Sequence, residues 1–210
     1  MALGRYCFTP HRKLPGSLVE LMSIPVMFLL AATVLFAFSA PSRASVWLKT
    51  GSETSRPYGH VNYCSRHASD CRSRTASSKL PAASLNVLKR VNVSVNRAIK
   101  PAADRDAFGR KEYWTARTRS GDCEDYALAK RAKLMRQGFK SSQLLLTMGH
   151  NGLEAHTVLI VRTRDGDFVL DNLTDDVKTV KSAGMSFRKI QSPDHGGRWL
   201  RVTGRTSRQP

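Results

Sequence analysis

Acidic side chains are scarce in this chain: its 210 residues include 16 aspartates and glutamates against 34 lysines and arginines, a net charge of +18. Aromatic residues make up only 8% and do not alternate with basic ones, so the sequence offers no stacking platform for nucleic-acid bases. It has no internal repeat and no glycine loop that would cradle a phosphate, which excludes repeat architectures and P-loop enzymes. The basic excess instead predicts attraction to anionic surfaces or acidic proteins.

Long hydrophobic runs are also rare, and the clearest lies near the N-terminus. Three basic residues precede an apolar run from about Ile24 to Phe38, and Ser42-Arg43-Ala44 then offers small residues at the −3 and −1 positions. We interpret residues 1–44 as a signal peptide, which predicts a periplasmic protein with no nucleic-acid partner. An uncleaved membrane anchor is the alternative, but the run is short for a full span.

The rest of the chain has the length of one domain. Residues 45–210 hold 30 basic and 15 acidic side chains, a net charge of +15. That length leaves enough chain for one well-buried core. We predict a single domain over residues 45–203 and a disordered basic tail over residues 204–210.

Cysteine is scarce as well, with four in the chain and one of those in the predicted leader. Six residues separate Cys64 from Cys71, and a disulfide easily closes such a gap after export. A metal site is the alternative, because His60 and His67 complete a tetrad with plausible spacing. We favour the disulfide, since thiols pair in an oxidising compartment. We therefore expect Cys123 to be the one titratable thiol of the mature protein.

Cys123 lies in the segment Gly121-Asp122-Cys123-Glu124-Asp125-Tyr126. Apolar residues recur near a 3.6-residue period over residues 124–136, which predicts a helix, and Gly138 follows where such a helix would end. Asp122 is a natural N-cap, and the acidic residues of the first turn suit the helix dipole. Cys123 is therefore at the positive end of a helix, which favours thiolate over thiol. A small buried residue at a helix start is the alternative interpretation.

Candidate partners for a nucleophilic cysteine follow downstream. His156 and Asp171 begin and end two apolar runs joined by Arg164-Asp165-Gly166-Asp167, a strong hairpin signal. An antiparallel hairpin pairs the start of its first strand with the end of its second. It would bring His156 close to Asp171, as a base and the carboxylate that orients it should be. His150, in the turn-like Gly149-His150-Asn151-Gly152, is a second candidate base, but it lacks a following strand and a carboxylate on a hairpin mate.

The remaining patterns predict a scaffold for these residues. Leucine, valine and isoleucine recur at helical spacing from Leu80 to Ile99, which predicts an amphipathic helix. Strands are predicted at residues 143–148, 156–164, 167–171, 185–190 and 198–202. Helices followed by antiparallel strands predict an α+β fold, with one layer of sheet packed against helices. A nucleophile at a helix N-terminus, with histidine and aspartate on adjacent strands, is typical of a papain/transglutaminase-like core.

Three blocks of the sequence resemble the bacterial transglutaminase-like cysteine peptidases, which include the periplasmic LapG-type proteases. The blocks are residues 112–131, 155–159 and 168–172, and the whole resemblance covers roughly residues 57–202. The Asp-Cys-Glu-Asp-Tyr block is its most specific part. The resemblance implies Cys123 as nucleophile, His156 as base and Asp171 as the orienting carboxylate.

The same resemblance implies calcium bound beside the nucleophile by Asp122 and Glu124, and an inner-membrane receptor as a regulatory partner. From the residues alone, two carboxylates suit a helix N-terminus without any metal. The sequence thus predicts a calcium-dependent periplasmic endopeptidase that cleaves an exported or surface protein, such as an acidic adhesin. An acyl-transferase or cell-wall amidase with the same triad is one alternative, because the triad does not decide which acceptor attacks. A non-catalytic module that binds calcium or an adhesin is the other.

Overall fold

The computed structural model describes residues 45–75, 81–82 and 84–207. The predicted signal peptide and residues 208–210 lie outside these ranges. The helices are α1 (Tyr58–Arg66), α2 (Leu85–Ala98), α3 (Asp104–Phe108) and α4 (Cys123–Arg136). The strands are β1 (Trp47–Thr54), β2 (Lys100–Pro101), β3 (Ser120–Gly121), β4 (Leu144–His150), β5 (Ala155–Thr163), β6 (Gly166–Leu170), β7 (Lys178–Thr179), β8 (Ser186–Gln191) and β9 (Trp199–Thr206). No helix in the described ranges has the length and apolar character needed to cross a membrane.

Seven strands form one sheet in the order β1-β9-β8-β4-β5-β6-β7, and every pairing in it is antiparallel. The short strands β2 and β3 form a separate parallel pair that leads into α4. Helices and an antiparallel sheet occupy largely separate parts of the chain, so the predicted α+β class is confirmed. The predicted hairpin is confirmed too, because β5 and β6 pair directly across the turn.

Helix α4 packs between the sheet and helix α2. Its apolar side chains share one core with the buried face of α2 and with alternate residues of β4 and β5, including Leu159 and Val161. The intervening residues Val158 and Ile160 belong to a second core on the other face of the sheet. Because both faces are covered, the run at 158–161 is continuously apolar instead of alternating with polar residues.

The second face is covered in part by β1, which the sequence analysis did not predict. Beyond its pairing with β9, this strand reaches the β5–β6 hairpin: the Trp47 indole donates to the Thr163 carbonyl at 2.9 Å, and the Leu48 N–H donates to the Asp167 carboxylate at 2.9 Å. The same carboxylate forms a buried ion pair with Arg162, at 2.9 Å. These contacts connect β1, at one edge of the sheet, to the β5–β6 hairpin, so the single sheet is curled.

Two predicted boundaries differ from those observed. The helix expected from Leu80 begins at Leu85, and the carbonyl of Pro81 instead accepts the N–H of Arg164 at 3.0 Å. Strand β9 runs to Thr206, three residues beyond the expected end of the domain, because those residues pair with the start of β1.

Candidate active site

Cys123 is the first residue of α4, as the sequence predicts, and it is buried with 4% of its surface exposed. Its sulfur accepts the backbone N–H of Thr157, at 3.3 Å. Thr157 is the residue after His156, so this contact joins the start of the helix to the start of β5. A donor aimed at the sulfur stabilises its ionised form. This contact could not be predicted from the residue type, since any residue other than proline at position 157 would supply the N–H.

His156 and Asp171 lie together, as the hairpin predicts. The Nε2 atom of His156 is 2.7 Å from Oδ1 of Asp171, and the histidine side chain is fully buried. Because Nε2 is at the carboxylate, Nδ1 is the second ring nitrogen that can carry or accept a proton. The structure therefore brings together all three residues that the sequence predicts as a triad.

Several contacts hold Asp171 as a carboxylate. Burial acts to raise its pKa, but the hydrogen bond and charge of His156, the N–H of Leu173 and the charge of Lys130 outweigh it, so the pKa lies below its usual value. The Leu173 N–H donates to Oδ1 at 3.0 Å. An ionised Asp171 can accept a hydrogen bond from the Nε2–H of His156 and so fix the orientation of the ring.

The second candidate base, His150, is engaged elsewhere. It is exposed at the end of β4, where its Nδ1 accepts the N–H of Gly152 at 3.1 Å. Two aromatic residues before the nucleophile make contacts of their own. Trp114 is a buried core residue, and its indole lies 3.3 Å from a Glu112 oxygen. The ring of Tyr113 packs against the guanidinium of Arg66, 4.0 Å from its centroid.

Five carboxylates crowd the start of α4. Asp122 and Glu124 flank the nucleophile, and Asp104, Glu112 and Asp125 join them. Oxygens of Asp104, Glu112 and Glu124 lie within 4.8 Å of one another, and so do oxygens of Asp104, Asp122 and Asp125. None of the ion pairs among the described residues includes any of the five. The cluster therefore has a large unbalanced negative charge when ionised.

Burial and mutual repulsion raise the pKa of these carboxyl groups. Desolvation is the largest cause in each case, and neighbouring carboxylates add to it for Asp122, Glu124 and Asp125. The pKa of Asp122 rises to about 7 and that of Asp125 to about 8, while that of Glu124 lies well above its usual value. Such shifts mean that the ionised form of the cluster is unfavourable by itself and that a bound cation would favour it.

The cluster meets the requirements of a calcium site. Oδ1 of Asp104, Oδ1 of Asp122 and Oδ2 of Asp125 are buried and accept no hydrogen bond from the described residues. Calcium prefers several oxygen ligands, mostly carboxylates. Asp122 is the N-cap residue, as predicted, but its side chain makes no capping hydrogen bond. Its carboxylate faces the acidic cluster instead.

Sequence reasoning missed three members of the cluster: Asp104, Glu112 and Asp125. Asp125 was assigned only to the helix dipole, and the other two lie 11 or more residues before the nucleophile. One signal was available. Six of the 15 acidic residues that follow the predicted leader fall within residues 104–125 of a strongly basic chain.

The Cys64–Cys71 disulfide is present, with an S–S distance of 2.03 Å, which confirms the predicted pairing. In this state the two cysteines cannot serve as thiolate ligands of the alternative metal tetrad, because their sulfurs are bonded to each other. Burial, followed by the charges of Arg56, Arg131 and Arg74, lowers the pKa of the neighbouring His60 to about 3.

We expect the processed protein, without residues 1–44, to carry one titratable thiol, that of Cys123. In the full-length chain, no cysteine in the described ranges is a free thiol, so the prediction concerns the processed form. Mass spectrometry after alkylation under denaturing, non-reducing conditions would count one thiol, and none in a Cys123→Ser control. Three thiols, or a stoichiometric zinc ion, would contradict the expectation.

Comparison with known proteins agrees with this geometry. The chain matches the family described as bacterial transglutaminase-like cysteine proteinase BTLCP over residues 50–207, and it belongs to that family. It is accordingly a cysteine peptidase. No sequence relative was found among curated proteins.

Among solved structures, the fold is similar to that of LapG from Legionella pneumophila. The calcium-bound form is 23% identical, with a TM-score of 0.45, and the match covers 57% of this chain and 71% of that one. The EGTA-treated form is 22% identical, with the same TM-score and 57% and 69% coverage.

Proposed function

We propose that this peptidase is a calcium-dependent periplasmic endopeptidase with a Cys123–His156–Asp171 triad. The observation that carries the proposal is the 2.7 Å contact of His156 with Asp171, next to a sulfur held at the N-terminus of α4. This arrangement supplies a nucleophile, a base and a group that orients the base. Family membership supports the same chemistry.

In the proposed reaction, Nδ1 of His156 takes the thiol proton, and the sulfur attacks the carbonyl carbon of a peptide bond. The C–N bond breaks as His156 gives that proton to the departing amine, which leaves a thioester on Cys123. Water, deprotonated by His156, then attacks the thioester and releases the acid and the thiol. Asp171 stays ionised throughout and stabilises the imidazolium that forms in each half.

Asp122 and Glu124 would hold the calcium ion, together with Asp104, Glu112 and Asp125. When bound, calcium offsets the negative charge beside the sulfur and so favours the thiolate. Without it, a Glu124 oxygen only 3.2 Å from the sulfur opposes a second negative charge there. A hard cation held by oxygens also leaves the thiolate uncoordinated, unlike zinc.

The proposed compartment and partners rest on other features. A leader pattern in residues 1–44 and the Cys64–Cys71 disulfide support export to the periplasm. A net charge of +15 after the leader supports an acidic protein substrate, such as a surface adhesin. The family resemblance supports an inner-membrane receptor as regulator.

A comparison of exported proteins tests the function directly. Surface and periplasmic proteins from cells with the native enzyme and with Cys123→Ala are compared by quantitative mass spectrometry. We expect new N-termini on one or a few surface proteins only in cells with the native enzyme, and their loss when cells are treated with EGTA. Identical patterns in both strains would refute the proposed peptidase role.

Substituting His156 should reduce turnover more than substituting Asp171. His156→Ala removes the proton carrier, whereas Asp171→Asn removes only the orienting charge, so we expect the larger loss of turnover from the histidine variant. Each loss should reach at least about a hundredfold. Turnover of a labelled protein substrate measures both. His150→Ala is the control and should retain activity; loss of activity there, with His156→Ala active, would reassign the base.

A further inference from the structure

The loop after Asp171 is held by polar side chains from two helices. Asn92 and Asn96 reach it from α2, and the buried Lys130 of α4 interacts electrostatically with two of its carboxylates, those of Asp171 and Asp175. Apolar residues usually fill such positions between packed elements. Burying polar side chains at these positions costs free energy unless they form hydrogen bonds, so packing alone does not explain their presence.

Asn96 contacts the backbone of Asp171 itself. Its Nδ2 group lies 3.1 Å from the Asp171 carbonyl, and 3.1 Å from both the Thr174 carbonyl and an Asp175 carboxylate oxygen. The side-chain amide of Asn96 thus contacts both the first and the last residue of the segment 171–175. A hydrogen bond to the carbonyl of Asp171 fixes the peptide from which its carboxylate projects.

Lys130 provides a positive charge on the same side of the site. It lies seven residues after Cys123 on α4, which is two helical turns, so both residues are on the same face of the helix. The side chain is fully buried, and its Nζ has no hydrogen-bond partner in the described ranges. Burial lowers the pKa of Lys130 to about 7, while the charges of Asp171 and Asp175 act to raise it.

We propose that Asn96 and Lys130 are positioning residues of the triad: Asn96 fixes the backbone of Asp171, and Lys130 balances the charge of its carboxylate. This inference rests on the proposed function, because it assigns roles relative to Asp171 and His156. During turnover His156 alternates between neutral and protonated forms. Lys130 supplies a counter-charge to the buried Asp171 while His156 is neutral, so the carboxylate keeps its place in both halves of the reaction.

Asn92 offers a matched control. It lies one turn before Asn96 on α2, is more deeply buried, and donates to the same Thr174 carbonyl at 2.8 Å. It has no hydrogen bond to Asp171 among those of the described residues. A merely structural role for the loop contacts predicts that Asn92→Ala and Asn96→Ala have equal effects. A positioning role predicts an effect on the triad from Asn96→Ala alone.

Two readouts follow the triad without requiring a known substrate. The rate at which iodoacetamide alkylates Cys123 in the processed protein reports the thiolate paired with His156. The downfield proton resonance of the His156–Asp171 hydrogen bond reports the geometry of that contact. We expect Asn96→Ala to slow alkylation about tenfold or more and to shift or remove the resonance, since small misplacements cost large factors in rate. Asn92→Ala should leave both close to those of the unsubstituted protein.

Lys130→Met tests the charge independently of Asn96. Methionine occupies a similar volume without the buried charge, so the variant should fold with an unchanged or higher melting temperature. We expect slower alkylation of Cys123 and a shifted His156 resonance. If Asn96→Ala fails to fold, the Lys130→Met result alone decides.

The outcomes separate this inference from the function on which it rests. Equal effects of Asn92→Ala and Asn96→Ala, or an unaltered resonance and alkylation rate in folded Lys130→Met, would overturn the positioning roles. The triad would then still stand if Cys123→Ala abolished proteolysis. Proteolysis that persists in Cys123→Ala would instead overturn the proposed function.

Discussion

Replacing Cys123 with alanine or serine is expected to abolish proteolysis and leave the fold intact. The chemistry needs a thiolate, and neither side chain can supply one. The loss of turnover should be at least about a thousandfold, as in other enzymes that lose their nucleophile. Cleavage of a labelled protein substrate measures the loss, and circular dichroism with thermal melting measures the fold.

The fold should survive because a small side chain of another type can occupy the position of Cys123 without disrupting the start of α4. Cys123 is a small residue at the first position of α4, and the backbone hydrogen bonds of the first turn run to the Asp122 carbonyl, not to its sulfur. A serine hydroxyl also keeps an acceptor for the Thr157 N–H. Cys123→Ser is therefore the control for packing, and either variant with native turnover would rule out a thiol mechanism.

Removing calcium should also abolish activity, and substituting Asp122 or Glu124 should make that loss permanent. The physical reason is charge: without a cation the raised pKa values hold these crowded carboxyl groups partly protonated, and each one that ionises opposes a nearby thiolate. A bound cation would reverse that local field. Turnover is measured in excess EGTA and again after calcium is restored. We expect recovery with calcium in the native protein and no recovery in Asp122→Ala or Glu124→Ala. Full activity in excess chelator would refute the proposal that activity requires bound calcium.

Thermal melting separates this account from a purely structural role of the two carboxylates. If they served only as cap and dipole partners, each alanine variant would lose on the order of 1 kcal/mol of stability, with or without calcium. If they bind calcium, the ion should raise the melting temperature of the native protein but not of Asp122→Ala. Asp106→Ala, an exposed carboxylate on the same helix as Asp104, is the control and should keep the calcium response.

The parts of the fold that sequence reasoning predicted depend on local signals. Helix α4 has an N-cap residue, a periodic apolar pattern and a terminal glycine within 17 residues of chain. The β5–β6 hairpin has an Asp-Gly turn between apolar runs. These two elements carry Cys123, His156 and Asp171, so the residues proposed as the triad could be placed together from sequence.

The missed parts depend on contacts between distant segments. The β1 sequence, Trp47–Thr54, is largely polar after its first two residues, and it becomes a strand because β9 and the Asp167 carboxylate satisfy its backbone. Asp104 and Glu112 join the acidic cluster only once α3 and its following loop fold against α4. Neither the pairing of β1 nor the position of Asp104 and Glu112 in the acidic cluster can be predicted from sequence spacing, since the tertiary fold determines both.

The pairing of β1 with β9 joins strands about 150 residues apart in the chain, and this separation bears on the order of folding. Contacts between distant segments carry a large loop-closure entropy and form late. The β4–β5–β6 hairpins and α4 are closer in sequence and can form earlier. A nascent or truncated chain that lacks β9 would contain every residue of the proposed triad but would leave β1 without its strand partner. This edge of the sheet could therefore be completed only after the last strand had been synthesised.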